Sequence, residues 1–164
     1  MPGLLTQVEQ YINNHAADPD ALYVVWSGPN DFMWGFEDPE TTITTAVTNI
    51  SNAAERLFAH GARHIVVPNM MPIGRSPKVV AAGMAELMTE VSRNFNYALI
   101  LRLSQLDFAT TYMDVVSLSQ GIFGNPEVYG FSNVTEPCLV LEPFSQCLNP
   151  DTYLFWDEGV ISLR

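Results

Sequence analysis

Residues 21–31 read Ala-Leu-Tyr-Val-Val-Trp-Ser-Gly-Pro-Asn-Asp, and this stretch changes character in its middle. Residues 21–26 are apolar and rich in β-formers, while Ser27 to Asp31 are turn-forming residues. A short apolar run closed by turn signals predicts a strand covered on both faces of a parallel sheet. His64 to Pro68 (HIVVP) predicts a second such strand, and Thr111 to Val116 a third. The segments between them have helical spacing. Ile43, Ala46, Val47, Ile50, Ala53, Ala54, Leu57 and Phe58 fall on one face, with Gly61 as the stop. Lys78 to about Gln105 predicts one long helix, with Val80, Met84, Leu87, Met88, Val91 and Phe95 along a core stripe. Leu4, Leu5, Val8, Tyr11 and Ile12 predict an amphipathic helix near the start. Strands alternating with helices specify an α/β layered fold with a parallel sheet. From Ser117 onward, recurrent Gly and Pro predict loops, with Tyr153 to Trp156 as a short aromatic run before Asp157.

Length and charge narrow the function. The chain has 164 residues, the size of about one domain. Its 48% apolar and 15% charged residues are those of a folded protein. Seven basic residues against 18 acidic ones give a net charge of −11, which repels phosphate backbones and anionic membranes. Nucleic acid is therefore an unexpected partner. No apolar run approaches the roughly 20 residues of a transmembrane helix. The first residues, MPGLLTQVEQYINN, lack a basic region followed by an apolar core, so no signal peptide is expected there.

In a doubly wound sheet, ligands meet the carboxyl ends of strands. That points to Ser27–Asp31, to Pro68–Pro72 and to the loops after Val116. Asn30 has two roles open to it: a donor to a developing oxyanion, or a cap for its own turn. Asp157 can orient a catalytic histidine as the acid of a triad does, or serve as an ordinary loop or cap carboxylate. Neither acts without a nucleophile and a base. No Gly-x-Ser-x-Gly elbow is present, and the histidines are His15, His60 and His64. The i, i+4 spacing of His60 and His64 is interrupted by Gly61, so no metal site is expected. There is no glycine-rich nucleotide loop, and no cofactor is expected. Met84 and Met88 read as core, and Met70 and Met71 as lining for a greasy cleft. Cys138 and Cys147 either close a small disulfide loop or stay reduced; spacing alone leaves both open.

Four segments together resemble the SGNH (GDSL-type) esterase/lipase family. Residues 21–32, ALYVVWSGPNDF, resemble its block in which Gly-x-Asn-Asp follows a strand. Residues 67–77, VPNMMPIGRSP, resemble the next strand and proline-rich loop, and Phe95-Asn96-Tyr97-Ala98-Leu99 its long-helix signature. Residues 149–157, NPDTYLFWD, resemble the start of its last block, and Pro126 to Cys138 the loop before it. The resemblance implies a flavodoxin-like αβα sandwich, here a single partial domain over residues 1–164 whose parallel sheet lacks its first strands. It implies serine-dependent hydrolysis of carboxylic esters, with an ester or lipid-like small molecule as substrate. It assigns Asn30 to the oxyanion hole and Asp157 to the acid that orients the catalytic His.

The departures from the family pattern carry as much weight. No Gly-Asp-Ser block occurs, and no His follows His64. In the run through Ser162, Val160 stands at the family's Asp-x-x-His position and Ile161 follows Gly-Val where the variant stretch places His. Losing the serine or the histidine of a triad lowers kcat by about a million-fold in a measured case. The expectation is an incomplete hydrolase, inactive alone. Two alternatives are a binding module that keeps the cleft, and half of a complemented enzyme. In the family's strand order the missing first strand would pair with Ala21–Trp26. An apolar edge is expected there, open to a second copy or a complementing chain. Many members of the family are secreted, and a cysteine pair suits that, but location stays open.

Overall fold

The structure is a computed structural model describing residues 2–33, 36 and 38–159. Val160, Ile161 and Ser162 lie outside the described residues. The chain divides into two compact units, Met1–Met70 with Arg93–Asp114, and Met71–Ser92 with Val115–Arg164.

The first unit is a three-stranded parallel sheet with helices. Its strands are β1 (Leu22–Val24), β2 (His64–Pro68) and β3 (Thr111–Met113), in the order β1-β2-β3. Leu22 lies opposite His64, and Val66 opposite Thr111. Helix α1 (Leu4–Asn14) precedes β1, α2 (Pro29–Met33) follows it, and α3 (Pro39–His60) leads into β2. The periodicity of α3 is that of its burial: Ile43, Ala46, Val47, Ile50, Ala53, Ala54 and Leu57 are all buried. Asp38 caps this helix by accepting from the Thr41 amide at 2.7 Å, and Pro39 stands in its first turn. Gly61 ends it at φ +127, as expected of a glycine stop. Arg102 ties α5 (Ala85–Leu103) to α3, its Nε donating to Ser51 Oγ at 3.0 Å. Fused to that contact is an exposed ion pair with Glu55 at 3.7 Å.

Burial in β1 corrects the expectation of two covered faces. Tyr23 is partly covered and Val25 buried, but Leu22, Val24 and Trp26 are 65%, 56% and 52% exposed. A strand alternates its side chains, so one apolar face of β1 meets the core and the other meets water. Met113 on β3 is exposed as well. Among the described residues β1 pairs with β2 alone, which makes it an edge.

The long helix from Lys78 is also corrected. It is two helices, α4 (Pro77–Ala81) and α5. Gly83 adopts φ +70 between them, a conformation that interrupts a right-handed helix. The core stripe begins only after that break. Met88, Val91 and Phe95 are buried, whereas Val80, Met84 and Leu87 are exposed, so Met84 is not core.

The second unit contains more short elements. The third strand stops at Met113, and Val115–Gly124 forms a helix, α6, where a strand end and loop were expected. Its glycines misdirect a propensity reading. A Cβ at Gly121 would stand 2.5 Å from the Tyr129 hydroxyl, so glycine there makes room for a packed tyrosine. Strand β4 (Asn133–Pro137) pairs in parallel with β7 (Tyr153–Phe155), with an irregularity between its two paired positions. Phe131, Leu154 and Phe155 form the buried cluster, with Ile122, Phe123 and Val134 against it. The Arg75 guanidinium lies 5.1 Å from the centre of the Phe123 ring. Strands β5 (Leu139–Leu141) and β6 (Phe144–Gln146) form a hairpin, and Cys138 and Cys147 are joined by a disulfide across its base. Among the described residues, no helix is long and apolar enough to cross a membrane.

Candidate functional site

The turn after β1 is set by one glycine. Gly28 has φ +126, which a side chain would strain. A Cβ there would also stand 2.8 Å from Phe95 Cζ and 3.0 Å from Met70 Cε. The backbone therefore lies directly on the Phe95 ring. The Asp31 amide closes the turn by donating to the Gly28 carbonyl at 3.0 Å. Pro29 then opens α2 with Asn30 as its second residue.

The support beneath this turn is polar as well as apolar. Asn96, on α5, accepts from the Met70 amide at 2.7 Å and donates to the Met70 carbonyl at 2.8 Å. That two-way clamp fixes a residue sealed from water. Met70 is thus a buried support for the turn. Beside it Asn69 is buried, and its amide donates to the Tyr112 hydroxyl at 3.0 Å and to Asp114 Oδ1 at 2.9 Å. The Asn69 backbone N–H donates to the Met113 carbonyl at 3.0 Å, joining the ends of β2 and β3. The sequence segments around Asn69 and Asn96 were legible, but these clamping roles were not. Each needs a partner 26 to 45 positions away.

Asn30 is exposed at the carboxyl end of β1. Its side-chain amide makes no hydrogen bond among the described residues, so the turn-cap role has no bond there to support it. An uncommitted amide at a strand end, beside a closely packed turn, is a donor available to a ligand oxygen. His64 is the first residue of β2, at the opposite end of that sheet. His60 meets the His15 carbonyl at 3.0 Å, and both rings lie against Tyr11. The three histidines therefore belong to the amino-terminal side of the sheet.

Asp157 belongs to the second unit, two residues past β7, and is half-buried. Its Oδ1 accepts from the Gly159 amide at 2.8 Å. The surrounding backbone is held on both sides. The Leu139 amide donates to the Trp156 carbonyl at 2.7 Å, and the Lys78 amide to the Glu158 carbonyl at 2.9 Å. A carboxylate carried on a strand end and fixed by neighbouring backbone is suited to orienting a basic partner.

A recess of about 270 Å³ opens in the first unit, lined by Asp31, Phe36, Thr41, Thr42, Thr45, Ala46 and Asn49. Partial burial raises the Asp31 carboxyl above its ordinary pKa although the residue as a whole is exposed. The sequence reading missed this recess. Its signal was the spacing of Thr41, Thr45 and Asn49, which places polar groups on one stripe of α3. Among the described residues, no group of three or more His, Cys, Asp or Glu side chains is placed to hold a metal ion.

The family model described as GDSL-like lipase/acylhydrolase matches residues 1–158. A GDSL esterase/lipase of Arabidopsis thaliana is 28% identical over 170 residues, covering 83% of this chain and 46% of that protein. The phosphatidylcholine-sterol acyltransferase of Aeromonas hydrophila is 26% identical over 149 residues, covering 85% of this chain and 43% of that protein. The GDSL esterase/lipase ENOD8 of Medicago truncatula is 27% identical over 177 residues, covering 84% and 46%. The chain spans less than half the length of these three relatives.

Proposed function

The chain belongs to the GDSL-like lipase/acylhydrolase family, and from that premise we propose that it carries two of the working parts of a carboxylic-ester hydrolase. Asn30 donates its amide to the oxyanion of the tetrahedral intermediate. Asp157 orients the histidine that takes the proton from the attacking serine. The observation that carries this reading is the packed Gly28 turn, which is followed by Asn30 at a strand end with its amide uncommitted among the described residues. The substrate is an ester or lipid-like small molecule, and no cofactor takes part.

Residues 1–164 contain no Gly-Asp-Ser and no histidine after His64. On this reading residues 1–164 are inactive alone, and a serine and a base supplied by a complementing chain would complete the site. The β1 edge is the place for the missing strand. Its unpaired side and the exposed Leu22, Val24 and Trp26 favour a complementing chain or a second copy there. Sedimentation reads this directly: self-association or uptake of a complementing chain supports it, and a clean monomer that takes up neither counts against it.

Hydrolysis of a p-nitrophenyl ester tests the chemistry. The purified chain is expected to give no turnover above background. Turnover that disappears in Asn30→Ala would overturn the claim of inactivity while supporting the role of Asn30. Binding of an ester analogue with no turnover in any assembly would favour a binding module instead.

A further inference from the structure

We propose that the recess of the first unit binds one polyhydroxylated ring, a sugar or cyclic polyol, through Asp31, Thr41, Thr45 and Asn49. The ring would be the alcohol portion of the ester, a clause that rests on the reading above; the binding itself does not. The recess adjoins the proposed oxyanion donor in the chain, since Asp31 follows Asn30 directly.

The lining is chemically matched to hydroxyl groups. A sugar hydroxyl both donates and accepts, so it is best met by side chains that do the same. Thr41 and Thr45 offer hydroxyls, and Asn49 offers an amide with two donors and one acceptor oxygen. Asp31 adds a carboxylate that accepts from neighbouring hydroxyls. Phe36 supplies an apolar surface for the C–H face of a ring. None of the Asp31, Thr45 and Asn49 side chains makes a hydrogen bond among the described residues. Thr41 contributes only its backbone amide, to the Asp38 cap, and the Thr42 hydroxyl is engaged at the Asp38 carbonyl at 2.8 Å. The uncommitted groups sit on α3 and α2, which pack against each other, so the site is built on helices.

Size and charge select the ligand class. At about 270 Å³ the recess is just under the roughly 300 Å³ at which pockets for larger ligands begin, which suits one ring. A cation would use only the acceptor oxygens of Asp31, Thr41, Thr45 and Asn49, whereas ring hydroxyls use the threonine and asparagine donors as well. The partly desolvated Asp31 carboxyl, whose pKa is raised, gains from accepting hydroxyl donors in place of lost water.

Saturation-transfer NMR on the purified chain, with methyl β-D-glucopyranoside as the probe and choline as the cationic alternative, reads this without any turnover. Saturable glucoside binding with a Kd on the order of 1 mM is expected, the scale for a one-ring ligand. Thr45→Val should weaken it at least fivefold, and Asn49→Ala provides a second lesion of the same site. Thr44→Val, one position away on the same helix and exposed, should leave it unchanged. Absence of saturable glucoside binding, preferential choline binding, or equal loss in Thr44→Val and Thr45→Val would each overturn the proposal. Glucoside binding by a chain that never supports ester turnover would leave this site standing and remove the hydrolase reading alone.

Discussion

Phe95, Leu99, Ile65 and Val67 in the first unit are sealed from water, and they lie among the long helices α3 and α5 and the parallel sheet. In the second unit the buried cluster centres on Phe131, Leu154 and Phe155, and a disulfide joins Cys138 to Cys147 nearby in the chain. Long elements bury a continuous apolar face and need little else. The strands β1 and β3 are as short as those of the second unit, so the long helices set the first core apart; around the Phe131 cluster, covalent closure and backbone hydrogen bonds carry more of the load. The difference extends to the two proposed site residues. Asn30 rests on an aromatic floor and an asparagine clamp, whereas Asp157 rests on a lattice of backbone bonds between short segments.

The comparison breaks most visibly at Phe95. Phe95→Ala removes the floor beneath Gly28 and should cost about 4 kcal/mol in chemical denaturation. Gly28→Ala attacks the same contact from above and should cost about 3 kcal/mol, through the positive φ and the collision with the ring. Replacing Cys138 and Cys147 by serine should cost about 3 kcal/mol on the chain-entropy model. Hydrogen exchange sharpens that result. Protection should fall around Cys138 and Trp156 and stay unchanged at Ile65 and Val67. Equal loss in both units would erase the distinction drawn between them. Asn96→Ala leaves the Met70 amide and carbonyl without side-chain partners and should cost about 2 kcal/mol.

The smallest effect belongs to Asp31. Its folded pKa is raised by burial, so the charged form is the one the fold disfavours. The penalty is present above the folded pKa and relieved as pH falls through it, so this residue makes stability rise toward acid. Asp31→Asn should be slightly stabilising at neutral pH and should flatten that part of the profile. An unchanged pH profile in the variant would show that the carboxyl is not desolvated.

The same contrast explains what the sequence disclosed. The helix α3 was legible because its apolar period and its Gly61 stop agree. The strands β1 and β2 were legible as apolar runs between turn signals. Exposure was not: the unbroken run Ala21–Trp26 gives no sign of which face is covered, because apolar side chains occupy both. The helix break at Gly83 was hidden by a stripe that continues in sequence across it. The helix α6 was hidden by Gly121, whose job is to admit Tyr129 and not to end a helix. Asn30 and Asp157 were singled out through the segments that surround them. The Asn69 and Asn96 clamps and the recess on α3 depend on contacts between distant positions, which local pattern does not encode.

One measurement bears most directly on the proposed division of labour: ester turnover by residues 1–164 mixed with a chain bearing a Gly-Asp-Ser strand and a histidine segment. Turnover should be absent for either chain alone and appear in the mixture. It should fall by about 10²- to 10³-fold when the mixture carries Asn30→Ala. Turnover by residues 1–164 alone, or turnover in the mixture that Asn30→Ala leaves untouched, would contradict the assignment.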